Sequence, residues 1–121
     1  MKTALWVGLG GFIGAILRYT TSLGLEKIAT SLFPISTFLV NFLGCFILGL
    51  LINMGSTFLD ALPVKEFLII GLLGGFTTFS TFGVEIYELF KSGEMIIGML
   101  YMIFSIVAAV FGIWFSQFLV N

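Results

Sequence analysis

Four apolar stretches, each about long enough to cross a lipid bilayer, dominate this chain. They cover residues 4–23, 35–54, 66–90 and 95–119. A helix rises about 1.5 Å per residue, so about 20 apolar residues span a hydrocarbon core of about 30 Å. Only 9% of the 121 residues are charged. Soluble domains carry about 25%, so this chain could not cover a water-facing surface. We predict an all-α integral membrane protein with four transmembrane helices.

The segments between these spans leave no room for a second domain. They comprise residues 24–34, 55–65 and the turn 91–94. Pro34 and Pro63 each lie just before a span, a position where proline favours the start of a helix. Residues 1–121 are therefore predicted to form a single four-helix domain with both termini on the same side of the membrane.

Lysine and arginine are almost evenly divided between the two sides. Lys2 and Lys65 lie on the side of the termini, and Lys27, Lys91 and Arg18 lie on the other side. Because these residues favour the cytoplasmic face, their distribution sets the orientation of membrane helices. So small a bias leaves two interpretations open. The chain inserts both ways and pairs with its inverted copy, or the insertion machinery or a partner fixes one orientation.

The middle of the third span is rich in glycine and hydroxyl residues. Residues 71–83 read GLLGGFTTFSTFG. Backbone that leaves helical geometry at membrane depth is tolerated only where it is buried in protein or lines an aqueous cavity. Interrupted helices are also where membrane proteins commonly bind ions and substrates. We predict that the third helix is broken mid-membrane and borders a polar pathway.

Three polar side chains in the spans each have a functional and a structural interpretation. Asn41 can hydrogen-bond a neighbouring helix, or it can offer amide donors to an anion. Arg18 can extend to the membrane interface, anchor a helix end or attract anions to a vestibule. Glu85 is a functional candidate because an ionisable group in a membrane is costly, and pairing with Arg18 is the alternative.

The fourth span carries small and polar residues along one helical face, which is either a packing seam or a pathway. These are Tyr101, Ser105, Ala109, Gly112 and Ser116.

Phenylalanines recur every three residues around the break, at Phe76, Phe79 and Phe82. Most of the 15 phenylalanines in the chain are expected to face lipid. The edge of an aromatic ring is nevertheless electropositive, so rings beside a polar break can face a small anion. Donor amides, hydroxyls and ring edges, with no lysine or arginine mid-membrane, suit a pathway that binds an anion and then releases it.

The composition argues against several other functions. There is no basic patch, so we expect no nucleic-acid partner. The chain has no histidine, so Ser80 has no histidine base to activate it and we expect no enzyme. A small four-helix proton-coupled exporter would need a carboxylate, typically in the first span, and this first span has none. A helical scaffold subunit of a larger complex would require neither the break nor the polar face around Asn41.

Three segments of the chain closely resemble the Fluc (CrcB) family of fluoride channels. They read GGFIGAILRY at residues 10–19, TFLVNFLG at residues 37–44 and GGFTTFSTF at residues 74–82. The match follows the whole chain in order. The resemblance implies a passive, fluoride-selective channel in a prokaryotic plasma membrane, which exports cytoplasmic fluoride and gives fluoride resistance. It also implies an antiparallel, dual-topology homodimer with two pores, surrounded by lipid.

The resemblance implies a role for each matched residue. Phe79 and Phe82 would be pore-lining rings and Asn41 a pore amide. Backbone carbonyls of Gly74 and Thr77 from both subunits would hold a structural sodium ion on the dimer axis. Further polar contacts would come from Ser80, Thr81, Tyr101 and Ser105, with Glu85 as a carboxylate beside the pathway and Arg18 as a vestibule cation or helix anchor. Ala109 departs from the family pattern, because some members carry a hydroxyl there.

Overall fold

The computed structural model describes residues 1–27, 29, 31–60 and 63–120, with the backbone alone at residues 56 and 57. Within these ranges the chain consists of helices joined by turns, without a strand, which confirms the predicted all-α class. The elements are α1 (Lys2–Glu26), α2 (Ile35–Asn53), the short α3 (Ser56–Leu59), π1 (Lys65–Leu73), α4 (Gly74–Phe76), α5 (Phe79–Lys91) and α6 (Met95–Val120).

Three helical segments of the described chain are long and apolar enough to cross a membrane. They are Ile35–Asn53, Met95–Val120 and the 27 residues Lys65–Lys91, the last taken through the interruption at residues 77 and 78. The 25-residue α1 is long enough, but it carries Lys2 and Arg18 and several glycines, which make it less apolar. Its crossing of the membrane therefore stays a prediction.

The helices pack as two pairs, and different parts of the third predicted span pack in each pair. α1 lies against π1 and α4, while α2 lies against α6. After residues 77 and 78 the chain changes neighbours, because α5 packs on α6. The interruption in the third span thus redirects the chain from one helix pair to the other.

Glycines allow α1 to approach π1 and α4 backbone to backbone. A Cβ atom added to Gly10 would collide with the carbonyl oxygen of Phe67, and one added to Gly14 would collide with that of Leu72. A Cβ on Gly75 would lie 2.6 Å from the carbonyl oxygen of Gly11. Small residues at this spacing drive helix association where lipid removes the hydrophobic driving force.

The π-helical hydrogen bonding of π1 is unusual for a segment of nine residues. The N–H of Gly74 closes it by bonding the carbonyls of Ile69 and Gly71. Single π-helical turns are frequent at functional sites, and this longer segment ends where the glycine and threonine residues of the break begin.

The small buried core lies beside the break. Phe82, Leu89 and Tyr101 form it, and Phe33 and Phe38 pack against it. Many other large apolar side chains of the described residues are exposed, as expected of surfaces that face lipid or a second protein.

Candidate functional site

Two threonines with extended backbone separate α4 from α5. Thr77 has φ −80° and ψ 157°, and Thr78 has φ −147° and ψ 121°. Thr78 caps the start of α5, since its hydroxyl oxygen accepts a 3.3 Å hydrogen bond from the N–H of Thr81. The same hydroxyl donates to Oγ1 of Thr81 at 3.0 Å. A capping side chain of this kind replaces a partner that the first turn of a helix lacks.

The side chain of Asn41 bonds both backbone groups of Thr78. Its Oδ1 accepts from the N–H of Thr78 at 2.8 Å, and its Nδ2 donates to the carbonyl of Thr78 at 3.0 Å. Asn41 therefore forms the interhelical contact that was one of the two interpretations of its sequence position. An amide nitrogen has two hydrogens, so one donor of Asn41 remains beyond this pair.

The hydrogen bonds around the break redirect two N–H groups from their helical acceptors. In a continuous α-helix the N–H of Thr78 would bond the carbonyl of Gly74, and the N–H of Thr81 would bond the carbonyl of Thr77. The first goes to Asn41 and the second to the Thr78 hydroxyl. The carbonyls of Gly74 and Thr77 thereby lose their usual partners, and Nη1 of Arg18 lies 3.5 Å from the oxygen of Thr77.

A groove of about 360 Å³ opens beside the break, between α2, π1–α5 and α6. It brings together six predicted site residues: Asn41, Gly74, Thr77, Phe79, Phe82 and Ser105. Of the described residues that line it, none is charged. The Oγ atom of Ser105 is buried and has no hydrogen-bond partner within the described part of the chain. The eight other lining residues were not among the predicted site residues: Gly44, Cys45, Leu48, Ile69, Leu73, Thr78, Ile106 and Ala109.

The two predicted pore rings occupy different environments in the single chain. Phe82 is 8% exposed and packs edge-on against Tyr101, with ring centroids 5.1 Å apart. Phe79 is 84% exposed, and its centroid lies 5.8 Å from that of Phe82. The pair therefore links the buried core to the open side of the groove.

Glu85 accepts hydrogen bonds from two hydroxyl groups. Oε1 accepts from Thr37 and Oε2 from Tyr101, each at 2.7 Å. Arg18 instead contacts the carbonyl of Thr77, so the structure places these two residues with different partners. Glu85 and Tyr101 do not line the groove. Tyr101 packs against Phe82, which does.

Thr37 was not among the predicted site residues. It is buried and lies one helical turn before Asn41 in α2. Two polar residues four apart in an otherwise apolar helix share a face, and this spacing could have identified it.

Ser80 and Thr81 lie just outside the groove lining. Thr81 bonds the hydroxyl of Thr78, and Oγ of Ser80 lies 3.5 Å from the same hydroxyl oxygen. Both are exposed in the single chain. They extend the polar surface of the break along the first turn of α5.

Comparison with known proteins places these features in a family context. A family model described as CrcB-like protein, Camphor Resistance (CrcB), matches residues 5–117. A fluoride-specific ion channel FluC of Azobacteroides pseudotrichonymphae is 43% identical over 110 residues, which cover 89% of this chain and 87% of that protein. The FluC of Ruminiclostridium cellulolyticum is 41% identical over 114 residues, covering 93% and 88%. That of Shewanella halifaxensis is 38% identical over 120 residues, covering 99% and 97%.

Proposed function

The chain belongs to the CrcB-like family, and on this premise we propose that it is a fluoride-selective ion channel. It lets cytoplasmic fluoride leave passively across a prokaryotic plasma membrane and so gives fluoride resistance. It is not an enzyme: its relatives are named as ion channels. The observation that carries the proposal is the uncharged groove beside the interrupted third span, in which amide, hydroxyl and aromatic groups meet.

The chemistry of the groove suits a small anion that must be bound and then released. The second amide hydrogen of Asn41 is a neutral donor, and Ser105 adds an unpartnered hydroxyl whose oxygen is buried in the wall of the groove. The edges of Phe79 and Phe82 add weak positive potential. A lysine or arginine in the groove would hold an anion more strongly, whereas conduction requires binding weak enough for the ion to leave.

A second, inverted copy of the chain would complete the pathway. Phe79 projects from the single chain at 84% exposure beside an open groove, and a partner would cover both. The near-equal division of lysine and arginine between the two sides supports pairing of copies in opposite orientations. In this antiparallel dimer, residues 77 and 78 lie near mid-membrane, where their extended backbone is shielded from lipid.

The freed carbonyls of Gly74 and Thr77 fit a structural sodium ion. Neutral oxygen atoms are ligands that hard cations accept, and the carbonyl end of a helix carries partial negative charge. A carbonyl oxygen has two lone pairs, so Thr77 can contact Arg18 and still face a cation. When bound by both subunits, sodium would supply a positive charge that joins the two breaks.

The residues outside the groove extend the proposed pathway. Tyr101 and Glu85 lie behind Phe82, with the Tyr101 hydroxyl oriented by its bond to Glu85. Ser80 and Thr81 present hydroxyls on the exposed side of α5. Arg18 anchors the carbonyl end of α4 through Thr77.

Fluoride release from liposomes tests the proposal. The purified chain is reconstituted into liposomes loaded with potassium fluoride, and a potassium ionophore balances charge while an electrode records external fluoride. We expect release that protein-free liposomes do not show, and no matching release from liposomes loaded with chloride. Absence of fluoride release, or equal release of chloride, would refute a fluoride-selective channel.

A further inference from the structure

We propose that Asn41 is a positioning residue for the cation site, because it keeps the Gly74 carbonyl free. The inference rests on the proposed function, in which carbonyls of the break hold sodium. It gives Asn41, on α2, a role at a site that belongs to the third span.

Two acceptors compete for one backbone N–H group. The N–H of Thr78 has two possible acceptors, the carbonyl of Gly74 within a continuous helix and Oδ1 of Asn41 across the helix interface. The structure shows the second, at 2.8 Å. The neighbouring N–H of Thr77 still bonds the carbonyl of Leu73 at 3.0 Å, in the usual helical pattern. The break in hydrogen bonding therefore begins at the group that Asn41 captures.

The second bond of Asn41 fixes the orientation of its amide. Nδ2 donates to the carbonyl of Thr78 at 3.0 Å, so the side chain bonds the extended backbone of this residue on both sides. An unsatisfied backbone group in hydrocarbon is costly. Without the Asn41 acceptor, the cheapest partner for the N–H of Thr78 is the carbonyl of Gly74, and that bond would remove the carbonyl from a cation.

The test compares sodium-dependent stability rather than transport alone. The thermal midpoint of the purified protein in detergent is measured across sodium chloride concentrations and in matched N-methyl-D-glucamine chloride, because a ligand that binds the folded state raises the midpoint. Asn41→Leu has a similar volume and no acceptor, and Asn41→Ala removes the acceptor without crowding. Asn41→Asp retains an oxygen for the N–H of Thr78 and, in its protonated form, offers a hydroxyl to the Thr78 carbonyl in place of Nδ2.

We expect the wild-type protein and Asn41→Asp to show the sodium shift. In Asn41→Leu and Asn41→Ala the shift should vanish or require at least about tenfold more sodium, the scale of one lost hydrogen bond. Asn53→Leu is the matched control on the same helix. Its Nδ2 bonds the carbonyl of Gly49 at 2.8 Å, at a helix end away from the break, so its sodium shift should equal that of the wild type.

Two results overturn the inference. One is a full sodium shift in Asn41→Leu or Asn41→Ala. The other is loss of the sodium shift in a folded Asn41→Asp protein, and this result is available even if neither apolar variant folds. Fluoride release is recorded on the same wild-type preparation. A wild-type protein that conducts fluoride but shows no sodium shift refutes this inference and the sodium site, while the fluoride channel stands.

Discussion

Thr78 is the residue at which the polar contacts of the break converge. Its N–H and carbonyl bond Asn41, and its hydroxyl bonds Thr81. In hydrocarbon each of these groups would cost several kcal/mol if left unpaired. The break is therefore stabilised by a side chain from another helix and by its own cap, and its extended backbone does not depend on glycine flexibility alone.

Replacing the aromatic rings beside the groove should reduce fluoride flux. Phe79→Ile and Phe82→Ile keep apolar bulk but remove the electropositive ring edge. We expect liposome flux to fall at least about tenfold in each, the effect of about 1.4 kcal/mol. Phe79→Ile is the cleaner test because this ring is 84% exposed in the single chain, whereas Phe82 belongs to the buried core.

Phe76→Ile is the control for the two ring variants. Phe76 does not line the groove but packs on α2 near Gly44, so nearly normal flux is expected. Dimer content by size-exclusion chromatography checks that all three proteins assemble. If Phe79→Ile and Phe82→Ile conduct as well as Phe76→Ile, the rings are structural only.

Removing one hydroxyl from the Glu85 cluster should destabilise the protein. Tyr101→Phe leaves Oε2 of the half-buried Glu85 without its 2.7 Å donor, and an unmet acceptor costs up to about 1–3 kcal/mol. Tyr87→Phe is the control, because Tyr87 is 64% exposed on the same helix as Glu85. Thermal unfolding in detergent should show a lower midpoint for Tyr101→Phe only. Equal midpoints would mean that the Tyr101–Glu85 bond contributes little.

The sequence identified the polar residues of the site better than their partners. Asn41 and Ser105 were selected because polar residues stand out in apolar helices, and both line the groove. The sequence left Glu85 open to pairing with Arg18, because a sequence cannot show which side chains helix packing brings to the carboxylate. Charge suggested an ion pair, but helix packing brings two hydroxyls to the carboxylate.

At the scale of elements, the third span differs most from a regular helix. It consists of a π-helix, a single α-helical turn, two extended residues and a final α-helix. The glycines and threonines of residues 71–83 pointed to an interruption. The π-helix could not be predicted, since its i→i+5 bonds use the same apolar residues as i→i+4 bonds.

The close approach of α1 to π1 should tolerate no methyl group. In Gly14→Ala the new Cβ would collide with the Leu72 carbonyl and lie 2.9 Å from the N–H nitrogen of Phe76. Since both are backbone atoms that cannot move aside, we expect a loss of about 1–3 kcal/mol in unfolding free energy. Gly75→Ala should behave alike, with its Cβ 2.6 Å from the Gly11 carbonyl oxygen.

Gly8→Ala is the matched control, because nothing lies within 4 Å of its Cβ position on the same helix. Alanine favours helix over glycine by about 0.5–1 kcal/mol, so this variant should be neutral or slightly more stable. Unfolding midpoints and dimer content give the comparison. Gly14→Ala as stable as Gly8→Ala would show that the two helices separate easily.

At the scale of the whole molecule, a single chain leaves its functional groups half enclosed. The groove is open, Phe79 is exposed, and two freed carbonyls lie at the carbonyl end of α4. One inverted partner would cover all three features, which is why the dimer, the pore and the cation site form one proposal. The sequence could suggest this only through charge balance and the family resemblance, because a lone chain and a paired chain have the same hydropathy.

The orientation of the chain should depend on very few charges. Lys2 and Lys65 oppose Lys27, Lys91 and Arg18, so a cysteine tag at the C-terminus should react with impermeant reagent from both sides of the membrane. Two added lysines on the side of the termini, at Met54 and Asp60, should favour insertion with that side in the cytoplasm. Two lysines at Ser92 and Glu94 should favour the reverse.

Each of these variants alone should lose most fluoride flux, because it lacks inverted partners, and co-expression of the two should restore it. Misfolding would be a poor explanation for flux that is lost in each variant and restored by co-expression, because Met54, Asp60 and Ser92 are exposed. One-sided labelling of the unmodified chain, or full activity of each variant alone, would contradict the antiparallel dimer. Fluoride flux in a uniformly oriented population would then require a pathway within one chain or between parallel copies, and the exposed Phe79 would face lipid rather than a partner.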